Sequence, residues 1–483
     1  MSTTLHAQLA QVAEAVGLAR WQEAAHLLQP LRAAHPSHPR ILHLWGVILQ
    51  ETGDLQGALT AMSQAAAIQP DDATLHLALG LLLKKKGALA PAMERLQESL
   101  TLDPGRAETH FHLGDLHMDR GEADEAAQRF QEATRRQPGF TEAWINLALC
   151  RKAQKAIPEA MACLREAIRL RPDNAMAHVN LAMTHLMLGE YAQGWREYEW
   201  RFRLDENCLP MDLPGVPRWR GEPLEGKSVA LLAEQGYGDI LQFIRFAPEL
   251  KARGARVLLS APTPLLTLLQ RAPGVDQACN HTRFDATPDY RIPLLSLPEP
   301  LAIDGTNLAR AGGYLTPEPQ AAAMWHERLA GPGRKVGLIW EGKPLHKNDP
   351  LRRRSCALAE LAPLAAVPGV RLIGLQKGEA AWRTVPAGME ILSLEAELTD
   401  FTATAAIMAT LDLIITIDTA SAHLAGALGK TVWTLLPLAP DWRWGIEGDA
   451  TPWYDTMRLF RQHHPNRWDE PIREMAQALE KTT

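Results

Sequence analysis

SVALLAEQGYGDILQF, residues 228–243, decides how the second part of this chain is read. Its first six residues are apolar without alternation, the pattern of a strand covered on both faces. Glu234, Gln235, Gly236, Tyr237, Gly238 and Asp239 then interrupt the run, and ILQF resumes it with helical spacing. Two glycines permit a tight turn with close backbone approach. Asp239 falls at the expected first position of the helix, where a carboxylate either caps the helix or faces a cleft and takes a proton from an acceptor hydroxyl. In open parallel sheets ligands sit beyond the carboxyl ends of the strands, so Glu234, Gln235, Gly236, Gly238 and Gln242 are read with Asp239 as the acceptor-side wall of such a site.

Working outward, the alternation continues with helix DILQFIRFAPELKARG, strand ARVLLSA, helix PLLTLLQRAP, short strand signals near YRIPLLSLP and helix PEPQAAAMWHERLAG. After the break GPGR it restarts: strand KVGLIW, helix ALAELAPLAAV, strands VRLIGLQ and MEILSL, helix DFTATAAIMATL, strand DLIITI, helix SAHLAGALG, strand TVWTLLP and the closing helix WDEPIREMAQALEK. Apolar strands separated by helices imply parallel sheets covered on both faces. Two doubly wound, Rossmann-like halves are expected, residues 227–330 and 331–483, facing each other across a cleft.

Upstream the organisation changes. Pro36, Pro70, Pro104, Pro138 and Pro172 are spaced 34 residues apart, and other positions keep the same phase. Gly46, Gly80 and Gly114, then Ala148 and Ala182, fill one small-residue slot; Ala58, Ala92, Ala126 and Ala160 fill another. Gly53, Gly87, Gly121 and Gly189 mark turns, while Met62, Leu96, Phe130 and Leu164 supply the large apolar contact. This register resembles the tetratricopeptide repeat over about residues 5–202, and implies stacked helical hairpins in residues 1–204, an α-solenoid. Such an array usually holds a peptide or protein segment on its concave face; a spacer or dimerisation arm is the alternative. Trp195, Tyr198, Trp200 and Phe202 in the last copy are read as glue to the next domain. Residues 205–226, with Pro210, Pro214, Pro217 and Pro223, read as an irregular connector.

Composition narrows the function classes. The 483 residues are 46% hydrophobic and 22% charged, with no apolar run near the ~18 that span a bilayer, and the start lacks a basic region ahead of an apolar core. No membrane span and a cytoplasmic location are expected. Net charge is −6, and the basic runs are short, KKK at 84–86 and RRR at 352–354, which argues against nucleic-acid binding. Five scattered cysteines show no metal-ligand spacing.

A second motif, Asp418, Thr419, Ala420, Ser421, Ala422 and His423, directly follows DLIITI and opens a helix. Unpaired N–H groups and the positive end of the helix dipole favour a phosphate there, with hydroxyls from Thr419 and Ser421 and an imidazole from His423. The loop from Trp340 to Ser355 follows the first strand of the second half; Trp340 and Gly342 open it, and Lys343, His346, Lys347 and Arg354 could neutralise a diphosphate. Gln376 and Lys377, ending VRLIGLQ, would meet a base or ribose. Trp442, Arg443, Trp444 and Tyr454 lie on a later loop, where they either line a pocket or pack a crossover.

The GYGD turn with its following strand, helix and GVDQ looks like the first half of the heptosyltransferase-like glycosyltransferases, family 9, of the two-Rossmann GT-B architecture. TDFTATAAIMATLDLIITIDTASAHLAGALGKTV resembles that family's donor motif, although Ala420 stands where a glycine is usual. The resemblance implies that Asp239 matches the proposed catalytic base and that Asp418, Thr419 and His423 hold a nucleotide-sugar diphosphate. Repeats ahead of GT-B halves are similar in layout to the O-GlcNAc transferases and bacterial flagellin glycosyltransferases. The expected activity is an inverting, metal-independent transfer from a nucleotide-sugar, which serves as co-substrate in place of a cofactor. The acceptor is a protein Ser or Thr, flagellin being one candidate. Alternatives are a saccharide or glycolipid acceptor, or a repeat scaffold whose transferase-like half no longer catalyses; a homo-oligomer is compatible with either.

Overall fold

The computed structural model describes residues 3–204, 213–308, 312–342, 354–378, 382, 384–465 and 467–482. Packing divides the chain into two compact units, Met1–Arg171 and Pro172–Thr483. The expected boundary after residue 204 does not coincide with this division: the last repeat copy packs with the α/β region.

The first unit is helical: α1 (Thr3–Gly17), α2 (Trp21–Ala34), α3 (Pro39–Glu51), α4 (Leu55–Ile68), α5 (Ala73–Lys85), α6 (Leu89–Leu102), α7 (Ala107–Arg120), α8 (Ala123–Arg136), α9 (Thr141–Ala153) and α10 (Ile157–Leu170). The small slot on one helix of each pair receives the large residue of the other. A Cβ at Gly46, Gly80 or Gly114 would lie 2.6, 2.7 and 2.7 Å from Met62, Leu96 and Phe130, all buried. The turn slot needs a left-handed backbone: Gly53, Gly87 and Gly121 have φ of 95°, 78° and 72°, and Lys155 adopts 60° in the copy without a glycine.

Another period-34 device lies in the same helices. His76 Nε2 and Trp144 Nε1 stand 2.9 Å from the carbonyls of Pro70 and Pro138, and His110 Nε2 stands 3.2 Å from that of Pro104. A ring N–H thus reaches back six residues to satisfy a carbonyl released where the preceding helix ends.

The second unit opens with α11 (Ala175–Met187), α12 (Tyr191–Tyr198) and a 3₁₀ turn, Glu199–Arg203. Strands β1 (Ser228–Leu232), β2 (Arg256–Ser260), β3 (Gln277–Cys279) and β4 (Tyr290–Pro293) form a parallel sheet in the order β3-β2-β1-β4. Its helices are α13 (Tyr237–Phe243), α14 (Ala247–Ala252) and α15 (Thr263–Leu269), and α16 (Pro319–Arg328) leads to the next half. The helix expected to run unbroken through DILQFIRFAPELKARG is two, joined by a 3₁₀ turn at Ile244–Phe246, because Pro248 has no N–H to continue the ladder.

Strands β5 (Arg334–Ile339), β6 (Val370–Gly374), β7 (Ile391–Ser393), β8 (Leu413–Ile417), β9 (Val432–Leu436) and β10 (Met457–Arg461) form the second parallel sheet, ordered β10-β9-β8-β5-β6-β7. Its helices are α17 (Ala362–Ala365), α18 (Phe401–Ala409), α19 (Ala420–Ala427) and α20 (Asp469–Glu480). Central strands β8 and β9 are buried along their whole length, as their unalternating apolar sequences require. In each sheet the chain reverses its winding beside the first strand, between β1 and β4 and between β5 and β8. Such switch points leave a crevice at the carboxyl ends. The two sequence motifs follow β1 and β8.

Candidate functional site

The turn after β1 is held from behind. Glu234 is buried, and its carboxylate accepts from Arg201 Nε at 2.9 Å, Arg201 Nη2 at 2.7 Å and the Leu295 amide at 3.1 Å. It therefore does not face the crevice among the acceptor-side residues where the sequence set it. Gln235 has a left-handed φ of 59°, and its side chain meets Tyr198 Oη at 3.1–3.2 Å. Burial, ahead of any charge effect, pushes the Tyr198 phenol up to about 12, so it is a neutral partner. Arg201 and Tyr198 belong to the final repeat copy; that copy forms the back of the turn.

Helix α13 begins at Tyr237, two residues before the expected start. Asp239 is thus its third residue, and Oδ2 accepts from the Gly236 amide at 2.9 Å, closing the first turn. Its other oxygen, Oδ1, accepts from Arg443 Nη2. Gly238 sits where α13 meets α19: a Cβ there would lie 2.8 Å from His423 Cδ2 and 3.4 Å from Ala420 Cα. Only a glycine lets the starts of the two helices, one from each half, touch.

On the other side, Thr419 precedes α19 with an extended backbone and no side-chain cap; its hydroxyl lies 3.5 Å from Thr416 Oγ1 and from the Ile417 carbonyl. Thr419 and Ser421 are half-buried. A Cβ at Gly342 would lie 3.4 Å from both Thr419 Cγ2 and Arg354 Nε, so the loop after β5 meets the α19 start. The half-buried residues Asp239, Gly342, Arg354, Asp418, Thr419, Ser421 and Asp441 accordingly gather at the crevice.

His423 is more enclosed than the sequence suggests. It stacks on Trp444 with ring centroids 5.3 Å apart, Nδ1 stands 2.9 Å from Tyr454 Oη, and the opposite edge of the ring faces Gly238. Burial first, then the cations Arg443 and Arg245, keep its pKa well below the usual imidazole value; it is neutral and 5% exposed. Burial and then Asp441 push Asp418 up to about 7. The Trp444 indole is buried beside Asp418 and opposes that rise.

Arg443 is one of the residues that join the halves. Besides Asp239, it donates from Nε to Gln242 Oε1 at 2.5 Å and from Nη1 to Asp441 Oδ1 at 2.9 Å, while its guanidinium lies 4.2 Å over the Trp442 ring. Gln242, placed on the acceptor side by sequence, is fully buried and serves this cation. Burial opposes the charge, but Asp441 and Asp239 hold the guanidinium's pKa above its ordinary value.

Two of the expected donor residues are framework. Trp340 is buried edge-on to Trp382, 4.9 Å between centroids. Gln376 Oε1 accepts from the Trp340 and Glu341 amides at 3.1 and 2.9 Å, and Nε2 donates to the Glu341 and Lys377 carbonyls at 3.0 Å, tying the ends of β5 and β6 together. Lys377 is exposed at the end of β6. Lys343 and Lys347, with His346, lie outside the described residues. Among the described residues, no cluster of three His, Cys, Asp or Glu is placed to hold a metal ion, and no helix is long and apolar enough to cross a membrane.

Comparison with known proteins agrees with the repeat geometry. Tetratricopeptide repeat models match residues 9–73, 43–107, 83–152, 117–168 and 157–194. Protein FlbA of Caulobacter vibrioides is 31% identical over 324 residues, a match covering 61% of this chain and 53% of that protein. The chain therefore spans about half the length of this curated relative. Since 61% of 483 residues exceeds the length of the repeat region, the similarity extends beyond the repeats. Solved structures similar to part of the chain include MamA, 20% identical with a TM-score of 0.31, covering 34% of this chain and 95% of that one. YrrB, described as a TPR protein with an unusual peptide-binding site, is 20% identical with a TM-score of 0.30, covering 35% and 88%. The pilF protein of Pseudomonas aeruginosa is 16% identical with a TM-score of 0.39, covering 42% and 91%. The chain carries tetratricopeptide repeats in its N-terminal part, followed by an α/β region of two parallel sheets.

Proposed function

We propose that the α/β region is a GT-B glycosyltransferase that moves a sugar from a nucleoside-diphosphate sugar to a Ser or Thr hydroxyl of a protein segment presented by the repeats. The observation that carries this reading is the meeting of α13 and α19 at Gly238 and His423, which sets Asp239 of one half beside the amino end of α19 in the other. The donor's diphosphate rests on the first amides of α19 and the Thr419 and Ser421 hydroxyls, with Arg354 alongside. These groups are fixed before reaction and oppose the charge that grows as the nucleotide leaves, which is how such dipoles lower a barrier. The acceptor oxygen attacks the anomeric carbon from the opposite face and inverts it, and Asp239 takes its proton. A cytoplasmic, metal-independent enzyme fits this chemistry, because helix dipole and arginine replace the cation.

A binding-only α/β region is the second reading, favoured by the engagement of both Asp239 oxygens and the enclosure of His423. Turnover separates the two. With UDP- and GDP-linked hexoses and candidate acceptor proteins, Asp239→Asn should reduce transfer by about 10²–10⁴, the usual contribution of a general base, while donor affinity stays within about threefold. Wild-type rates in that variant would remove Asp239 from the chemistry.

A further inference from the structure

Arg443 stands between two carboxylates from different halves. Nη2 holds Asp239 Oδ1 of α13 and Nη1 holds Asp441 Oδ1 at 2.9 Å on the loop after β9; Nε is occupied by Gln242. The guanidinium is buried with its carbon over the Trp442 ring, so it cannot turn to water if one partner is lost. A cation stranded in that way is strongly unfavourable, whereas one with a second carboxylate already in place is not. Both Asp239 oxygens are oriented, one by the Gly236 amide and one by Arg443.

We propose that Arg443 is a positioning residue for the transfer: it aims Asp239 as a carboxylate and then, when Asp239 takes the acceptor proton, remains paired through Asp441. This rests on the transferase reading given above. In the step, the acceptor O–H bond breaks as its oxygen bonds the anomeric carbon; the bond from that carbon to the diphosphate oxygen breaks and its electron pair leaves with the nucleotide. The proton goes to Asp239 and later to solvent. Asp441 therefore shares the guanidinium with Asp239 from its far side.

Other charged and titratable groups bear on the same cluster. Tyr198 and Arg201 lie at the end of the final repeat copy, Arg245 follows α13, Asp418 follows β8, His423 faces α13, Tyr454 lies against His423 and Arg245, and Arg354 stands beside Gly342. All are retained in the two variants that test the proposal, so the comparison isolates the shared cation.

The test is the pH dependence of kcat for full-length wild type, Arg443→Gln and Asp441→Asn with UDP- and GDP-linked hexoses. Removing Arg443 withdraws a nearby cation, so the acidic limb of kcat moves to higher pH and kcat falls at least tenfold, with donor KM within about threefold. Removing Asp441 leaves Arg443 wholly to Asp239, so the limb moves down by a smaller amount and kcat falls less. Opposite displacements would not arise from loosened packing. Limbs that stay fixed, or move together, overturn the proposal while leaving the transferase reading intact. Should wild type turn over none of these donors, that reading fails first, and carboxyl ¹³C NMR of Asp239 in the same three proteins decides the proposal. Opposite shifts of the titration sustain the shared pairing; unchanged titration overturns it.

Discussion

At the residue scale, the crevice is a charge-balanced cluster in which Asp418 is displaced upward. Burial and Asp441 raise its carboxyl to about 7 in the fold, against an ordinary value of 3.8. Between those values the folded chain keeps a proton that the unfolded chain has lost. Stability from this group is therefore fully present below the lower value and disappears as pH rises through the upper one. Asn does not titrate, so the melting temperature of wild type relative to Asp418→Asn should fall by a few degrees from about pH 5 to pH 8, at roughly 2–4 °C for each kcal/mol. A difference that does not change with pH would place Asp418 in water. The position of Asp239, Asp418, Thr419 and Ser421 after strand ends was legible in the sequence, because an apolar run stops there in a recognisable turn. Arg443 was read as lining a pocket or packing a crossover, since its partners Asp239 and Gln242 lie about 200 positions away, and Glu234 was misplaced because nothing local marks Arg201 as its counter-ion.

At the element scale, repeat register and alternating apolar runs made most helices and strands readable. The strands not anticipated were β3 and β10, both at sheet edges. An edge strand has one neighbour and a partly wet face, so its residues alternate: MRLFR in β10 carries two arginines, and β3 is three residues long. The ring-to-proline hydrogen bonds had a readable signal, since His76, His110 and Trp144 recur at the repeat period. The contact between α13 and α19 did not, because close approach depends on where two distant helices cross. It yields a direct prediction: Gly238→Ala sets a methyl 2.8 Å from the His423 ring. Overpacking of this kind costs roughly 1–3 kcal/mol, and chemical denaturation should show that loss together with weakened donor binding. A variant as stable as wild type would mean that the halves separate easily there.

At the scale of the whole molecule, the final repeat copy is part of the α/β unit. Trp195 donates to the Ile303 carbonyl at 3.1 Å and lies edge-on to Phe243, Trp442 and Trp453, which come from both halves. Arg201 meanwhile neutralises Glu234, whose side chain is only 1% exposed. A fragment starting at Pro172 should therefore fold, whereas one starting after residue 204 strands a buried carboxylate and uncovers Phe243, Trp442 and Trp453. Breaking one such pair costs about 3–5 kcal/mol, so the shorter fragment should melt at least about 10 °C lower or aggregate, as circular dichroism and light scattering would show. Equal melting would return the boundary to the place the sequence indicated. If the donor on α19 and Asp239 on α13 face each other across one transfer site, amide hydrogen exchange of the full chain with and without UDP- and GDP-linked hexoses will report both helix starts. Exchange should slow together in residues 236–240 and 418–423; slowing in only one of these segments, or only at the amino ends of the strands, would contradict it.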